Sequence, residues 1–426
     1  MNNEIYRSAA QLDLEDPLRC FREQFLFPTT AGRPDVYFVG NSLGLQPKAT
    51  IEALKQTLDL WQHSAVHGHF EAGESGTAWM DLPERISEKM APVVGAEPSE
   101  VVVMNTLTVN LHLMMASFYR PDGQRNKILI ESHAFPSDHQ AVYSHLRMRG
   151  IDPDAALVVV PASDKSFLFS TASILEQIER HRESLALILL PGVQYYTGQV
   201  LEMDTITARA REYGIAVGWD LAHAAGNIPL ELSKWGPDFA CWCTYKYMNG
   251  GPGSLGGCYI RKDHATDINV PRLAGWWGHE RASRFEMRPE FVAEANAHGW
   301  QLSNPPILSL AALEPALDLF RDAGGIHQLR EKSIRLSNYF RQQLSEHCNG
   351  VVDVLTPSDC SESGCQLSLE IVASTTSGRE IYDALGQSGI HTDWREPNVI
   401  RAAPVPLYNS FQDIERFVAR LAQLLS

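Results

Sequence analysis

Phe239-Ala240-Cys241-Trp242-Cys243-Thr244-Tyr245-Lys246-Tyr247-Met248-Asn249-Gly250-Gly251-Pro252-Gly253 sets a lysine at the end of an apolar run and follows it with glycines. The run from Phe239 to Thr244 reads as a buried β-strand, and a residue just past its end lies where pockets form in α/β sheets. Lysine is costly there. Burying an ammonium requires a paired or lost charge, and a desolvated lysine amine is the kind of nucleophile that forms Schiff bases. The plainer reading keeps the Lys246 head in solvent, where most lysines are found.

A second apolar run, Ile215-Ala216-Val217-Gly218-Trp219, carries Asp220 at its end and His223 shortly after. A lysine and a carboxylate on two strand ends are the pair that a pyridoxal phosphate enzyme needs. The lysine holds the aldehyde carbon, and the aspartate keeps the ring nitrogen protonated. Asp220 taken alone also reads as the N-cap of a helix beginning at Ala222.

Outward from these two strands, short apolar runs alternate with helical stretches from about residue 95 to residue 262, the pattern of a mostly parallel sheet with helices on its faces. The other runs are Lys127 to Glu131, Ala156 to Val160, Leu185 to Leu190 and Leu255 to Ile260. Six such strands make one large domain. After Ser303-Asn304-Pro305-Pro306 the pattern changes to long helices over 307–347, then to strands around Gln366 to Val372 and Val399 to Ala402. A last helix is opened by Ser410 as N-cap, with apolar residues at Phe411, Ile414, Phe417, Val418 and Leu421. This second part reads as a smaller α+β domain.

Composition narrows the function classes. A chain of 426 residues with 44% hydrophobic residues is long enough for two domains around large cores. The formal charge of −15 argues against nucleic acid as a partner and gives no reason to expect an anionic membrane surface. The polar amino terminus has no apolar core of signal-peptide length, and the run Leu185 to Leu190 is too short to span a bilayer. The seven cysteines lack metal-site spacing: Cys241 and Cys243 share a strand face, but no second pair completes a site. Reduced, buried thiols in a cytoplasmic protein, with no metal, are the expectation.

Four further segments carry candidate site residues. Leu107 and Thr108 precede an apolar helix, Val109 to Met115, whose free amides suit a phosphate, or are simply capped. Phe135, in Phe135-Pro136-Ser137-Asp138, is either a core aromatic or a ring stacked on a planar cofactor. His69 lies in the glycine-bearing loop from Val66 to Gly76, where no third ligand completes a metal site; it contacts substrate or is merely exposed. Arg401, between Ile400 and Ala402, is either a snorkelling surface residue or a bidentate carboxylate clamp.

With these residues assembled, the chain resembles the kynureninase family of fold-type I pyridoxal phosphate enzymes, related to the aspartate aminotransferases. The match runs over nearly the whole length. It rests on Gly40-Asn41-Ser42-Leu43-Gly44-Leu45, Leu107-Thr108-Val109-Asn110-Leu111, Phe135-Pro136-Ser137-Asp138, Tyr195-Tyr196-Thr197-Gly198-Gln199, Asp220-Leu221-Ala222-His223, Asp238 through Tyr247, Gly275-Trp276-Trp277-Gly278-His279, Ser303-Asn304-Pro305-Pro306 and Arg401 through Ser410. The resemblance implies an α/β fold, PLP-dependent transferase-like, with a large domain built on a mostly parallel seven-stranded sheet plus a smaller α+β domain. Its boundaries are an N-terminal segment 1–45 serving the small domain and active site, a large domain 46–306 and a small domain 307–426.

For the site, the resemblance implies that Lys246 holds pyridoxal 5'-phosphate covalently, Asp220 faces the pyridine nitrogen and Phe135 stacks on the ring. Leu107, Thr108 and Tyr245 contact the phosphate, joined in a homodimer with shared active sites by Trp276 of the partner subunit and Asn304 of the partner subunit. Pro136, Ser137, Asp138 and His223 also match cofactor-site positions. Arg401 takes the substrate α-carboxylate, while Ser42, His69 and Asn304 match positions near a small-molecule substrate, kynurenine or 3-hydroxykynurenine. Some family members have a serine where Pro191 stands, so that contact is not carried over. The implied reaction is hydrolytic Cβ–Cγ cleavage, with Lys246 and Tyr245 moving protons.

Three other readings compete. A cysteine desulfurase needs a mobile loop cysteine, and Cys360 and Cys365 lie in one loop. A scaffold protein retaining only the fold would be expected to lack Lys246 or Asp220, and both are present. A nicotinamide dehydrogenase is disfavoured because no Gly-x-Gly-x-x-Gly opens a helix after the first strand.

Overall fold

The computed structural model describes residues 8–73, 76–163 and 167–425. Helix α1 (Ala9–Leu14) is followed by an irregular stretch and by α2 (Ala49–Ser64) and α3 (Leu82–Val94). The large sheet comprises β1 (Val101–Met104), β2 (Lys127–Glu131), β3 (Leu157–Val160), β4 (Leu185–Pro191), β5 (Ala216–Asp220), β6 (Phe239–Cys243) and β7 (Gly256–Ile260). Its spatial order is β1-β7-β6-β5-β4-β2-β3. Only β7 runs antiparallel to its neighbours. Helices α4 (Leu107–Phe118), α5 (Pro136–Met148), α6 (Thr171–His181) and α7 (Met203–Glu212) connect the strands.

Helices cover both faces, so alternate residues of one strand enter two different cores. Val217, Trp219, Ala240 and Trp242 lie in one, and Phe239, Cys241, Leu187 and Leu189 in the other. This two-sided burial makes the strands continuous apolar runs rather than alternating ones. β1 was not among the six runs read from the sequence. It is four residues long, fully buried, and wedged between two helical segments. The helix expected from Ala222 is instead a series of turns. Gly226 adopts φ +78°, and Asn227 Nδ2 bonds back to the His223 carbonyl at 2.9 Å, which ends any helical run before Pro229.

Helix α8 (Ile307–Asp322) packs on α2 and α3, and its Leu310, Leu313, Leu317 and Phe320 join the core that holds Trp219. Helix α9 (Gly325–His347) leads to a second sheet of β8 (Val352–Val354), β9 (Leu367–Ile371), β10 (Asp393–Arg395) and β11 (Val399–Ala402), in the order β8-β9-β11-β10 and antiparallel throughout. It shares a third core with α9, α10 (Gly378–Gln387) and α11 (Phe411–Leu425). Ser410 caps α11 as expected: its Oγ accepts from Asp413 N, and its own N–H donates to Asp413 Oδ2, both at 3.1 Å. Residues before 45 reach this region as well, because Val36–Tyr37 pairs with Ile390–His391 and Val39 bridges Ala403.

Candidate active site

Strands β2, β4, β5 and β6 point their carboxyl ends at one cavity of about 320 Å³, the usual ligand position in an open α/β sheet. Lys246 lies three residues beyond β6. Its Nζ is 3.0 Å from His223 Nε2. Burial, followed by the lysine's charge, pushes the His223 pKa well below its ordinary value, so the neutral ring accepts from the ammonium. The turn is also pinned from outside. Gly44 N–H donates to the Tyr245 carbonyl at 2.8 Å, and a Cβ on Gly44 would come within 2.9 Å of Asn249 Cα, so only glycine lets that loop lie on the lysine turn.

Asp220 stands in register with Pro191 and Cys241, and its Oδ1 accepts from the Ala222 amide at 2.7 Å. Asp138 lies in the first turn of α5; burial first, then the Asp220 charge, raises its pKa well above the carboxylate range. Glu131 is raised to about 8, again chiefly by burial. Across the cavity, α4 presents Leu107 and Thr108. Its N-cap Thr106 makes no side-chain capping bond, and Thr108 Oγ1 is 2.7 Å from Ser137 Oγ. Phe135 is 43% exposed on the cavity wall, with Tyr195 edge-on at 5.2 Å. The Tyr245 hydroxyl is half-buried, and burial raises its pKa above the ordinary tyrosine value.

The small sheet supplies the remaining wall. Register places Asp393 opposite Arg401, and the two form an ion pair through Arg401 Nη2. Arg401 is fully buried; Nη1 donates to the Tyr195 carbonyl at 2.6 Å, while Nε has no partner among the described residues. Arg395 Nη1 meets Asp393 Oδ1 at 2.9 Å, and the Ser42 hydroxyl donates to Asp393 Oδ2 at 2.5 Å. Arg401 is therefore neither snorkelling nor solvated; it is a caged cation with one donor to spare.

The structure thus brings Ser42, Leu107, Thr108, Phe135, Ser137, Asp138, Asp220, His223, Tyr245, Lys246 and Arg401 to one cavity. Four expected residues do not line it in this chain. Pro136 is the first residue of α5 and serves the helix start. His69 closes a 3-10 turn, with Nδ1 3.0 Å from the Val66 carbonyl and its ring against Trp79. Trp276 is 40% exposed and donates through Nε1 to the Arg284 carbonyl, and Asn304 is exposed. Sequence reasoning overlooked Glu131, Asn41, Tyr195 and Arg395, which line the cavity, and Asp393 behind it. Glu131 carried the same signal as Asp220, an acid closing an apolar strand. Asp393 and Arg395 were legible only as an i, i+2 pair on one strand face.

Three features fit pyridoxal phosphate: an uncapped helix N-terminus beside two hydroxyls for the phosphate, an exposed ring on the wall to stack on, and the buried Asp138 Oδ1, which has no partner among the described residues. Neither Cys360 nor Cys365 lines the cavity; Cys365 is buried beside Tyr247, and Cys360 contacts Asn338.

Comparison with known proteins agrees with this geometry. Residues 329–421 match the family model described as the kynureninase C-terminal domain. The kynureninase of Xanthomonas campestris pv. campestris (strain B100) is 50% identical over 419 residues, 98% of either chain. That of Xanthomonas oryzae pv. oryzae (strain PXO99A) is 49% identical over 413 residues, covering 97% of this chain and 96% of the relative. Among solved structures, a C-DES mutant with glycine covalently linked to its PLP cofactor matches with a TM-score of 0.78 at 21% identity, over 95% of this chain and 99% of that one. The cysteine desulfurase CsdA of Escherichia coli gives 0.76 at 18%, over 96% and 98%. The two structures share the fold alone at such low identity, whereas the sequence relatives match half of all positions from end to end: the chain belongs to the kynureninase family.

Proposed function

We propose that this chain is a cytoplasmic, homodimeric kynureninase that uses pyridoxal 5'-phosphate to hydrolyse the Cβ–Cγ bond of L-kynurenine or 3-hydroxy-L-kynurenine. The products are L-alanine and anthranilate or 3-hydroxyanthranilate, a step of tryptophan degradation. The observation that carries this reading is the meeting of Lys246, Asp220, Phe135 and Arg401 on one cavity, in a chain 50% identical to a kynureninase.

Bound there, the cofactor supplies an electron sink for charge developing on the substrate's α and β carbons. The rest is protein. Leu107 and Thr108 at the start of α4, with Tyr245, hold the phosphate; Phe135 packs on the ring; Asp220, supported by Asp138, holds the ring-nitrogen proton. Arg401 binds the α-carboxylate, using the Nε that lacks a partner and the charge that Asp393 keeps aligned. Lys246 takes the proton from Cα, with neutral His223 accepting its hydrogen bond. The Tyr245 hydroxyl, which stays protonated at neutral pH, donates to the ketone oxygen as water adds. Tyr245→Phe is expected to lower kcat about 10²-fold with the cofactor retained; full turnover in that variant would reduce Tyr245 to a phosphate anchor.

Support for the dimer comes from the exposed surface. Phe70, Phe285 and Trp276 form a chain of ring contacts at 5.8 and 5.5 Å, and all three are exposed. Trp276 and Asn304 do not line this cavity in their own chain, which suits Trp276 of the partner subunit and Asn304 of the partner subunit completing each site. For the compartment, the support is that Cys241 and Cys258 are unbonded with Sγ atoms 3.8 Å apart, and that no helix among the described residues is long and apolar enough to cross a membrane.

His69, Ser303 and Asn304 favour 3-hydroxykynurenine, since a site that hydrogen-bonds a hydroxyl discriminates against the analogue lacking it. His69→Ala and Asn304→Ala should each shift the ratio of kcat/KM for the two substrates by about tenfold; an unchanged ratio removes the preference. The test of the whole reading is direct: purified protein is mixed with each substrate, and anthranilate or 3-hydroxyanthranilate is followed by fluorescence. Release of neither product overturns it. Borohydride reduction and peptide mapping should place the cofactor on Lys246.

A further inference from the structure

Three carboxyl groups reach one wall of the cavity from three elements: Glu131 ends β2, Asp138 lies in the first turn of α5, and Asp220 ends β5. Their exposures are 4%, 8% and 7%. Burial first, then the charge of Asp220, raises the Asp138 pKa well above the carboxylate range, which keeps one proton on this pair. Tyr195, on the stretch after β4, lines the same cavity. The flanking strand ends offer no charge: β3 places Val160 beside Glu131, and β4 ends in Leu190 and Pro191. Beyond Asp138 stands Lys246, whose neighbour His223 is neutral. Arg395 and Arg401 are already held by Asp393. None of these cations is paired with Glu131: Lys246 is hydrogen-bonded to His223, and Arg395 and Arg401 to Asp393. An unpaired carboxylate in a buried wall is costly enough that such a group takes up a proton instead.

We propose that Glu131 is a positioning residue that keeps this second proton in the folded enzyme, so that the wall presents a single negative charge to the cofactor's ring nitrogen. The inference rests on the reading in which Asp220 faces that nitrogen. Burial, opposed by a hydrogen bond from Glu131's own backbone and aided by the Asp220 charge, puts the Glu131 pKa at about 8. The sign follows from linkage. An acid whose folded pKa lies above its unfolded value of 4.5 releases its proton on unfolding, so its contribution is complete below pH 4.5 and is lost as pH rises through about 8.

Glu131→Gln, a neutral isostere, tests both parts. In the wild-type holoenzyme the cofactor's visible absorbance should show a step with a midpoint near pH 8; the glutamine variant, still carrying cofactor, should lack it. In the apoprotein, Glu131 should contribute roughly a tenfold loss in the folding constant for each pH unit between about 5 and 8, so the variant's stability slope should be smaller than wild type's by one proton. Persistence of both signals overturns the proposal. So does a flattened stability slope with the absorbance step intact, since the proton would then be held without reaching the ring. Failure to label Lys246 would defeat the underlying reading, while the apoprotein slope still reports on Glu131. If the variant does not fold, infrared spectra of wild type with isotope-labelled glutamate decide: a protonated carboxyl band present at pH 7 and lost by pH 9 supports the proposal, and its absence at pH 7 overturns it.

Discussion

Lys246→Ala is expected to lose kynurenine cleavage by at least about 10⁴-fold in kcat, because in the proposed mechanism one side chain supplies both the covalent anchor and the proton transfer at Cα. The loss should be chemical rather than structural. Lys246 is half-buried and its hydrogen-bonded partner is His223 at 3.0 Å, so its removal frees a neutral imidazole in a cavity that water can enter, while Asp138, without the lysine's charge, holds its proton more firmly. The melting temperature should therefore move little while turnover disappears. Steady-state assays beside thermal melts separate the two effects, and small primary amines added to the solution should restore part of the rate. A variant that kept more than one-hundredth of the wild-type rate without added amine would remove Lys246 from its assigned role.

Asp220→Asn is the second large effect, about 10³-fold in kcat/KM, or roughly 4 kcal/mol of transition-state stabilisation. Asparagine preserves the shape and can still accept from the Ala222 amide at Oδ1, so the turn after β5 stays in place. What is lost is the charge. The Asp220 charge acts on Asp138, so the double variant with Asp138→Asn should fall short of the sum of the single effects, as coupled neighbours do. The check is kcat/KM for the three variants together with the cofactor's absorbance maximum. Activity within tenfold of wild type in the single variant would show that another group protonates the ring.

The strands around the site were legible because a parallel sheet covered on both faces needs uninterrupted apolar runs, and Lys246 and Asp220 stood out as charges closing such runs. Arg401 was ambiguous by itself; only the register that sets Asp393 across from it makes it a caged cation. Arg395 and Asp393 escaped notice because a cross-strand partner six or eight residues away leaves no periodic mark. β1 escaped because four residues between two helices give too short a pattern. The turn after Asp220 looked helical because Ala222-His223-Ala224-Ala225 has good helix formers, while the positive φ of Gly226 overrules them one residue later. Glu131 had the right position and was passed over because its meaning comes from two other acids that the chain delivers separately.

The ribosome makes Ser42 long before Arg401, yet the two meet through Asp393 on one cavity wall. At about 5–20 residues per second, some 20–70 s separate their synthesis. During that interval Lys246 and Asp220 already exist on a chain whose proposed carboxylate clamp has not been translated. A message truncated before codon 393 would therefore encode a polypeptide with the proposed cofactor residues but without the proposed clamp, and translation of residues 393–401 is the step that completes the proposed site.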